Sequence, residues 1–502
     1  MLSRTIFFCL ISFLAYSENN FKDLSLDEFK QLLDSSNNKR AFYKEYLSYL
    51  EEADSDVNAV IALYSDQDLY KNFVYSRRTE WRGVPIIIKD NIDSVGLANT
   101  AGSLAMLDNF PKDDAHIVKL LKDSGFVLAG KANLSEWANF RGNPSTSGWS
   151  SYGGQTNNPY DLSYNPCGSS SGSAAVVAEG LVPVAIGTET NGSISCPASI
   201  NGIVGIKPTV GLVSRDGIIP ISETQDTAGP MARNVSDAAA VLHAISGTDP
   251  KDPATKNIPK DYDFKALLSM SKQSLLGKRV GLIFPEEVSE YEKVLLEKSE
   301  AILTTLGAEV LRVNFDIESN YKWDNEYYVL LYEFREGVNK YLKSNASSMN
   351  SLSDLIAFNE ENSESVLKHF GHEIFLDSAA ATDEEKYQKG VELIVSRAQN
   401  QIDGLLERNN LDGLVGLTRN PAWKTDHENG DSRGFNGLSW GNGGLSAVAG
   451  YPHITIPLDY VEGLPVGLSF FASAWEEAKI INFAYAFEHE NSFFPRPNRD
   501  KK

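Results

Sequence analysis

Short apolar runs alternate with amphipathic segments along most of the chain. Apolar residues recur at helical spacing over residues 24–52, which predicts a helical N-terminal segment. Residues 84–89 are an apolar run ending in a charge and predict a buried strand, and residues 126–129 predict another. Between these strands, residues 115–124 carry apolar side chains on one helical face and are closed by Gly125. This strand–helix–strand order predicts an α/β fold with helices over a mostly parallel or mixed sheet.

The middle of the chain departs from this pattern in two places. Residues 142–172 are rich in glycine, serine, asparagine and proline, and an apolar helix and strand follow directly over residues 173–186. Long irregular loops inside a compact domain are usually functional. Residues 262–409 are more polar and helical, which predicts an insertion or a lobe that carries a lid. Two further strands are predicted over residues 453–458 and 466–471.

The N-terminus has the pattern of an export signal. Arg4 precedes a short apolar stretch over residues 6–14, and small residues follow. We therefore predict a cleaved signal peptide over residues 1–17 and a secreted or periplasmic protein, with an uncleaved N-terminal anchor as the alternative. No later segment approaches the ~20 apolar residues of a membrane-spanning helix, so we expect no integral span. The remainder divides into an N-terminal helical segment over residues 18–56 and a main domain over residues 57–495.

Charge and composition exclude several classes of function. The formal net charge is −21, whereas broad affinity for nucleic acid or anionic membrane needs a basic face. Of the cysteines Cys9, Cys167 and Cys196, the first would leave with the signal, so the chain is no disulfide scaffold. The seven histidines form no H-E-x-x-H motif. We therefore expect no metal site, no cofactor and no nucleic-acid partner.

Three polar clusters could carry chemistry. Lys89 ends a buried strand, Ser169 lies in a glycine–serine run before a helix, and Ser193 lies in a turn after the next strand. Acyl transfer to water needs a nucleophile on a tight turn, a base, and backbone N–H groups that face the developing oxyanion. Asn191 and Gly192 tolerate left-handed backbone angles, and consecutive N–H groups in such a turn can bind an anion. Burial would lower the pKa of the lysine towards neutrality, which a base requires.

Each cluster also has a purely structural interpretation. A lysine after an apolar strand is often a surface residue, serine–glycine runs are often loops, and residues 191–193 form an N-glycosylation sequon. Residues 168–172 fit G-x-S-x-G with Ser170 at the centre, but the preceding segment is a poor strand for a nucleophile elbow. Residues 269–272 match S-x-x-K without support nearby. The three clusters together, in this order, are far more specific than any one of them.

The segment over residues 166–209 resembles the amidase signature family, most clearly in Gly187-Thr-Glu-Thr-Asn-Gly-Ser193. The similarity also takes in residues 83–92, 100–103 and 463–468. The resemblance implies one α/β/α domain around a large mixed sheet flanked by helices. It implies Lys89 as base, Ser169 as a bridging serine held by a cis peptide bond, and Ser193 as the acylated nucleophile. The implied oxyanion hole consists of the backbone N–H groups of Thr190, Asn191, Gly192 and Ser193.

Within the family the closest likeness is to bacterial peptide amidases, which remove the C-terminal amide of peptides; residues 133–142 and 211–220 carry it. The expected substrate is a small-molecule or peptide amide. A fatty-acid amide hydrolase and a transamidase component working on aminoacyl-tRNA remain alternatives, although the signal and the acidity argue against the second. A non-catalytic binding protein would not need the three intact residues. Asn191, Ser171 and Ser195 stand where the family has glycine, glycine and arginine, and the lost arginine changes the electrostatics beside the nucleophile.

Overall fold

The computed structural model describes residues 20–315, 323–345, 347–433 and 443–498. A mixed sheet of 11 strands runs through this part of the chain, and a separate pair of short strands forms a hairpin. The sheet consists of β1 (Val60–Leu63), β2 (Pro85–Lys89), β3 (Val127–Ala132), β6 (Val184–Glu189), β7 (Val204–Lys207), β8 (Thr227–Ala232), β9 (Arg279–Ile283), β10 (Glu309–Val313), β11 (Gly413–Leu417), β12 (His453–Val461) and β13 (Leu464–Phe471). The hairpin consists of β4 (Trp149–Ser150) and β5 (Gly154–Gln155).

Helices flank this sheet and also form a group of their own in the second half of the chain. The first half contains α1 (Leu26–Ser35), α2 (Lys39–Ala53), α3 (Asp66–Tyr75), α4 (His116–Asp123), α5 (Ser171–Ala178), α6 (Ser195–Ile200) and α7 (Val235–Ile245). The second half contains α8 (Glu290–Thr305), α9 (Trp323–Ser344), α10 (Leu352–Glu361), α11 (Ser363–Val366), α12 (Glu373–Ala380), α13 (Glu384–Asn409), α14 (Gly443–Ala449) and α15 (Glu477–Asn491).

The strand order explains how distant clusters meet. It is β1-β3-β2-β6-β8-β7-β12-β13-β11-β9-β10, with β2 parallel to both β3 and β6. Ile88 lies opposite Ile186 in the pairing of β2 with β6. Because parallel strands end at the same edge of a sheet, the residues that close β2 and β6 lie side by side. Helix α5, buried on all sides, leads into β6 and keeps the loop before it at this edge.

The mixed α/β fold predicted from the sequence is confirmed, with one large sheet flanked by helices. The strands predicted over residues 84–89 and 126–129 are β2 and β3, and the helix predicted between them is α4. The predicted N-terminal helical segment contains two helices, α1 and α2. Helix α2 begins anew after Asn38, whose side chain accepts a hydrogen bond from the N–H of Ala41 at 3.1 Å.

The segment over residues 262–409 is more than the helical lobe that its polarity predicts. It also contains β9 and β10, which form the far edge of the central sheet. An edge strand keeps polar side chains on its solvent side, so β10, which has no fully buried residue, gave no clear apolar run. The predicted signal over residues 1–17 lies outside the described residues, and the boundaries at residues 56 and 495 stay predictions. Within the described ranges, no helix is long and apolar enough to cross a membrane.

Helix α9 belongs to a second apolar core that lies against the edge of the sheet where β2 and β6 end. Phe334 of α9 is fully buried and packs edge-on against Phe140, with ring centroids 5.0 Å apart. The ring of Trp137 also packs against Phe334, with centroids 6.4 Å apart, and against Phe375 of α12, with centroids 5.5 Å apart. This aromatic cluster fixes α9 over the loops that leave the sheet.

Candidate active site

Lys89 closes β2 with a side chain that is fully buried. Its Nζ donates to Ser169 Oγ at 2.7 Å, to Ser170 Oγ at 3.0 Å and to Thr188 Oγ1 at 2.9 Å. Burial lowers the pKa of Lys89 to about 7, although nearby carboxylates oppose the shift. The amine is therefore neutral in a large fraction of molecules at neutral pH, as a proton acceptor must be.

Ser169 lies in the loop before α5, next to the turn that carries Ser193. The Gly168–Ser169 peptide bond is cis, and the Ser169 carbonyl accepts a hydrogen bond from the N–H of Ser135 at 3.1 Å. The next residue, Ser170, donates its N–H to the carbonyl of Ser193 at 3.2 Å, which joins the loop to the turn. Among the described residues, Ser193 Oγ makes no hydrogen bond. The contact between Lys89 and Ser169 is thus formed, whereas that between Ser169 and Ser193 is not a hydrogen bond here.

The turn after β6 carries the predicted nucleophile and the predicted oxyanion donors. Gly192 has a φ of 85°, in the left-handed region that glycine adopts without strain, as the sequence predicted. Beyond the turn, Glu189 Oε2 accepts from the N–H groups of Ile194 at 2.7 Å and Ser195 at 2.9 Å. In the described part of the chain, the N–H groups of Asn191, Gly192 and Ser193 donate to no other residue. They are available for an anion, which is the property expected of an oxyanion hole.

Two cavities meet at this turn. Ser193, which is 9% exposed, lines one of about 630 Å³. Its wall combines the turn, the loop over residues 142–172, and helices α9 and α12, through residues that include Asn143, Gly168, Thr190, Asn191, Gly192, Tyr327, Leu330 and Ile374. The other cavity, of about 750 Å³, is lined by Ser169, Thr188 and Thr190. The long irregular loop therefore borders the cavity that contains the predicted nucleophile.

Comparison with known proteins identifies the fold and the chemistry. The amidase family model matches residues 41–481. The chain belongs to this family. A probable amidase of Arabidopsis thaliana is 40% identical over 416 residues, which are 81% of this chain and 76% of that protein. A glutamyl-tRNA(Gln) amidotransferase subunit of Thermoanaerobacter pseudethanolicus is 32% identical, covering 90% of this chain and 93% of that one.

Solved structures give the same assignment. The native peptide amidase of Stenotrophomonas maltophilia is 41% identical with a TM-score of 0.87, and covers 95% of this chain and 99% of its own. A peptide amidase in complex with the competitive inhibitor chymostatin is 42% identical with a TM-score of 0.89, over the same shares of both chains. The protein is an amidase, a hydrolase acting on amide C–N bonds, and the family resemblance found in its sequence is confirmed.

A disulfide of this amidase joins the loop that carries Ser169 to helix α6, which follows the turn with Ser193. Cys167 and Cys196 are bonded, the first two residues before Ser169 and the second three residues after Ser193. Both cysteines are almost fully buried and line the cavity with Ser193. The sequence excluded a disulfide scaffold and did not predict this single bond. The sequence feature that could have indicated the bond is the position of each cysteine close to a candidate serine.

Two residues that hold the site were not given a role from the sequence. Thr188 accepts a hydrogen bond from Lys89 and another from Asn91 Nδ2 at 3.0 Å, both on its hydroxyl. Asp226 accepts from Thr190 Oγ1 at 2.5 Å and so ties the turn to the start of β8. Burial raises the pKa of Asp226 to about 6. Thr188 lies in a cluster that the sequence singled out, but Asp226 has no motif that would identify it.

The alternative nucleophile, Ser170, has a different environment. Its hydroxyl is fully buried, donates to the Thr188 carbonyl at 3.0 Å and accepts from Lys89, and it lines neither cavity. No strand leads directly into the loop before α5, which a nucleophile elbow requires. Within the described ranges, no group of three or more His, Cys, Asp or Glu side chains could hold a metal ion.

Proposed function

We propose that this amidase hydrolyses carboxamides through an acyl-enzyme on Ser193, with Ser169 as proton bridge and Lys89 as base. The hydrogen bond of 2.7 Å between Lys89 Nζ and Ser169 Oγ, inside a fully buried pair, carries the proposal. A buried amine with a pKa near 7 beside a serine hydroxyl is the arrangement that removes a proton from an alcohol at neutral pH.

The reaction follows from these positions. Ser193 Oγ attacks the amide carbonyl carbon, its proton passes to Ser169, and the proton of Ser169 passes to neutral Lys89. The N–H groups of residues 190–193 stabilise the oxyanion of the tetrahedral intermediate. The proton returns through Ser169 to the leaving nitrogen, the C–N bond breaks, and ammonia or an amine departs. Water then attacks the acyl-enzyme, with the same two groups taking up and returning its proton.

The substrate proposed is the C-terminal amide of a peptide. The likeness to peptide amidases at 41–42% identity over 95% of the chain supports it, as does a cavity of about 630 Å³ beside Ser193. Pockets of this size bind ligands as large as a typical drug molecule. We expect ammonia release with a higher kcat/KM from peptide amides than from fatty-acid amides, aryl amides or free glutamine. A preference for fatty-acid amides in this panel would replace the peptide assignment and leave the mechanism in place.

A transamidase component is the second candidate, because a tRNA amidotransferase relative matches 90% of the chain at 32% identity. The net charge of −21 opposes binding to tRNA phosphates. Free glutamine in the panel tests this alternative directly.

Export is also a proposal. The N-terminal pattern supports it, and so does the Cys167–Cys196 disulfide, since such bonds persist mainly in oxidising compartments. Intact-mass measurement of the protein from its native host tests it, because removal of the signal would leave a chain that starts after residue 17.

The two neighbouring serines should differ in their importance. We expect Ser169→Ala to lower kcat about 10²- to 10⁴-fold, because it breaks the proton path to Lys89. We expect Ser170→Ala to lower kcat by no more than about tenfold. It removes one hydrogen bond to Lys89 and two to the backbone of Thr188, but it leaves the hydrogen bond between Lys89 and Ser169 in place. Steady-state kinetics on the best amide of the panel compares them. The opposite ranking would return the nucleophile to Ser170.

A further inference from the structure

A buried carboxyl group connects helix α9 to the oxyanion turn. Glu326 is fully buried, and its Oε1 accepts hydrogen bonds from Asn191 Nδ2 at 2.8 Å and Gln225 Nε2 at 3.2 Å. The same Gln225 amide also donates to the Thr190 carbonyl at 3.2 Å. One oxygen atom of α9 is therefore linked, directly or through one side chain, to two residues of the turn.

The environment of Glu326 makes this carboxyl unusual. Within the described residues it pairs with no cation, and its second oxygen, Oε2, has no hydrogen-bond partner. Burial raises the pKa of Glu326 to about 7, against the opposing effect of the two amide donors. A buried acid without a cation lowers stability, and such local costs are typical of functional sites. Its one evident use here is as an acceptor for the two side-chain amides.

The position of Glu326 on α9 gives the contact a consequence for substrate. The next residue, Tyr327, and Leu330 one turn later line the cavity that contains Ser193. The turn that Asn191 belongs to lines the same cavity. The Glu326–Asn191 hydrogen bond therefore sets the separation between a substrate-facing helix and the N–H groups that would bind the oxyanion.

We propose that Glu326 is a positioning residue that holds the Asn191 side chain and so fixes the oxyanion turn against α9. The inference rests on the proposed function, because it assigns Glu326 to the same site. Oxyanion donors act on charge that develops only in the transition state, so a misplaced turn lowers kcat more than it raises KM. Loss of one donor in other enzymes costs about 10²- to 10³-fold, and a donor that is displaced but present should cost less.

The test compares two substitutions at Glu326. Glu326→Met fills the same space without an acceptor and should lower kcat at least about tenfold, with KM changed far less. Glu326→Gln keeps an oxygen that can accept from both amides and should recover most of the lost kcat. Glu488→Met is the matched control: Glu488 is a buried carboxyl on α15 that accepts from the N–H of Val235 at 2.9 Å and lines neither cavity. It should lower the melting temperature without lowering kcat.

A double-mutant cycle with Asn191→Ala separates positioning from general destabilisation. If Glu326 acts through Asn191, the double variant should lose less kcat than the product of the two single losses. Multiplicative losses, a Glu326→Met enzyme with native kcat, or equal losses for methionine and glutamine would each overturn the proposal. Ser193→Ala is measured in the same experiment. An active Ser193→Ala enzyme would contradict the proposed function. If Ser193→Ala is inactive but Glu326→Met keeps native kcat, only the positioning role of Glu326 is contradicted.

Discussion

Ser193→Ala is expected to lower amide hydrolysis by roughly four to six orders of magnitude while the fold stays intact. The substitution removes the oxygen that would form the acyl-enzyme, and the neighbouring groups cannot replace it. We expect the substitution to leave the fold unchanged. Ser193 Oγ makes no hydrogen bond to the described residues, so its removal leaves no buried partner unsatisfied.

The measurement is turnover on the best peptide amide, with the melting temperature recorded for each variant. Ser173→Ala is a matched control, because Ser173 is a buried serine of α5 that lines neither cavity. Its hydroxyl donates to the Ile186 carbonyl at 3.0 Å. We expect it to keep most of its activity. Mass spectrometry after rapid mixing should show an acyl adduct on the wild-type enzyme and none on Ser193→Ala. Near-native turnover by Ser193→Ala would place the nucleophile elsewhere.

Sequence alone could locate the core of this site because of how parallel strands align. Lys89 and Thr188 each lie at the end of an apolar run, and such runs in an α/β fold end at one edge of the sheet. The pairing of β2 with β6 brings the two side chains to 2.9 Å, from Nζ to Oγ1. The turn around Gly192 could also be predicted, because asparagine and glycine tolerate the left-handed backbone angles that such a turn requires.

The rest of the site depends on contacts that leave no local pattern. Glu326 meets Asn191 across 135 residues of sequence, and no periodicity distinguishes it from the other acids of α9. The same holds for Asp226, which contacts Thr190 from the start of another strand. Predicting the Cys167–Cys196 bond would have required knowing that the loop before α5 and helix α6 lie together, although the two cysteines are 29 residues apart in sequence. Tertiary packing decides such contacts, so a single sequence indicates candidate catalytic groups more readily than the groups that position them.

Lys89→Arg is expected to lower kcat by about three orders of magnitude or more although it keeps a positive charge. Guanidinium stays protonated at any working pH and cannot accept a proton, whereas burial lowers the pKa of Lys89 to about 7. Because only the neutral amine can act as base, wild-type activity should rise with pH through about 7 and level off above it. The remaining activity of Lys89→Arg should show no such rise.

Lys89→Met provides the comparison that separates a base from a structural cation. Methionine has nearly the length of lysine and no charge, so it keeps the packing at the end of β2 and removes only the amine. If Lys89 acts as a base, arginine and methionine should be equally inactive, since neither can accept a proton. If its charge only holds Ser169 and Thr188 in place, arginine should retain much more activity than methionine. An active Lys89→Arg enzyme with the wild-type pH profile would remove the lysine from the mechanism, because a group that never loses its proton would then be sufficient at this position.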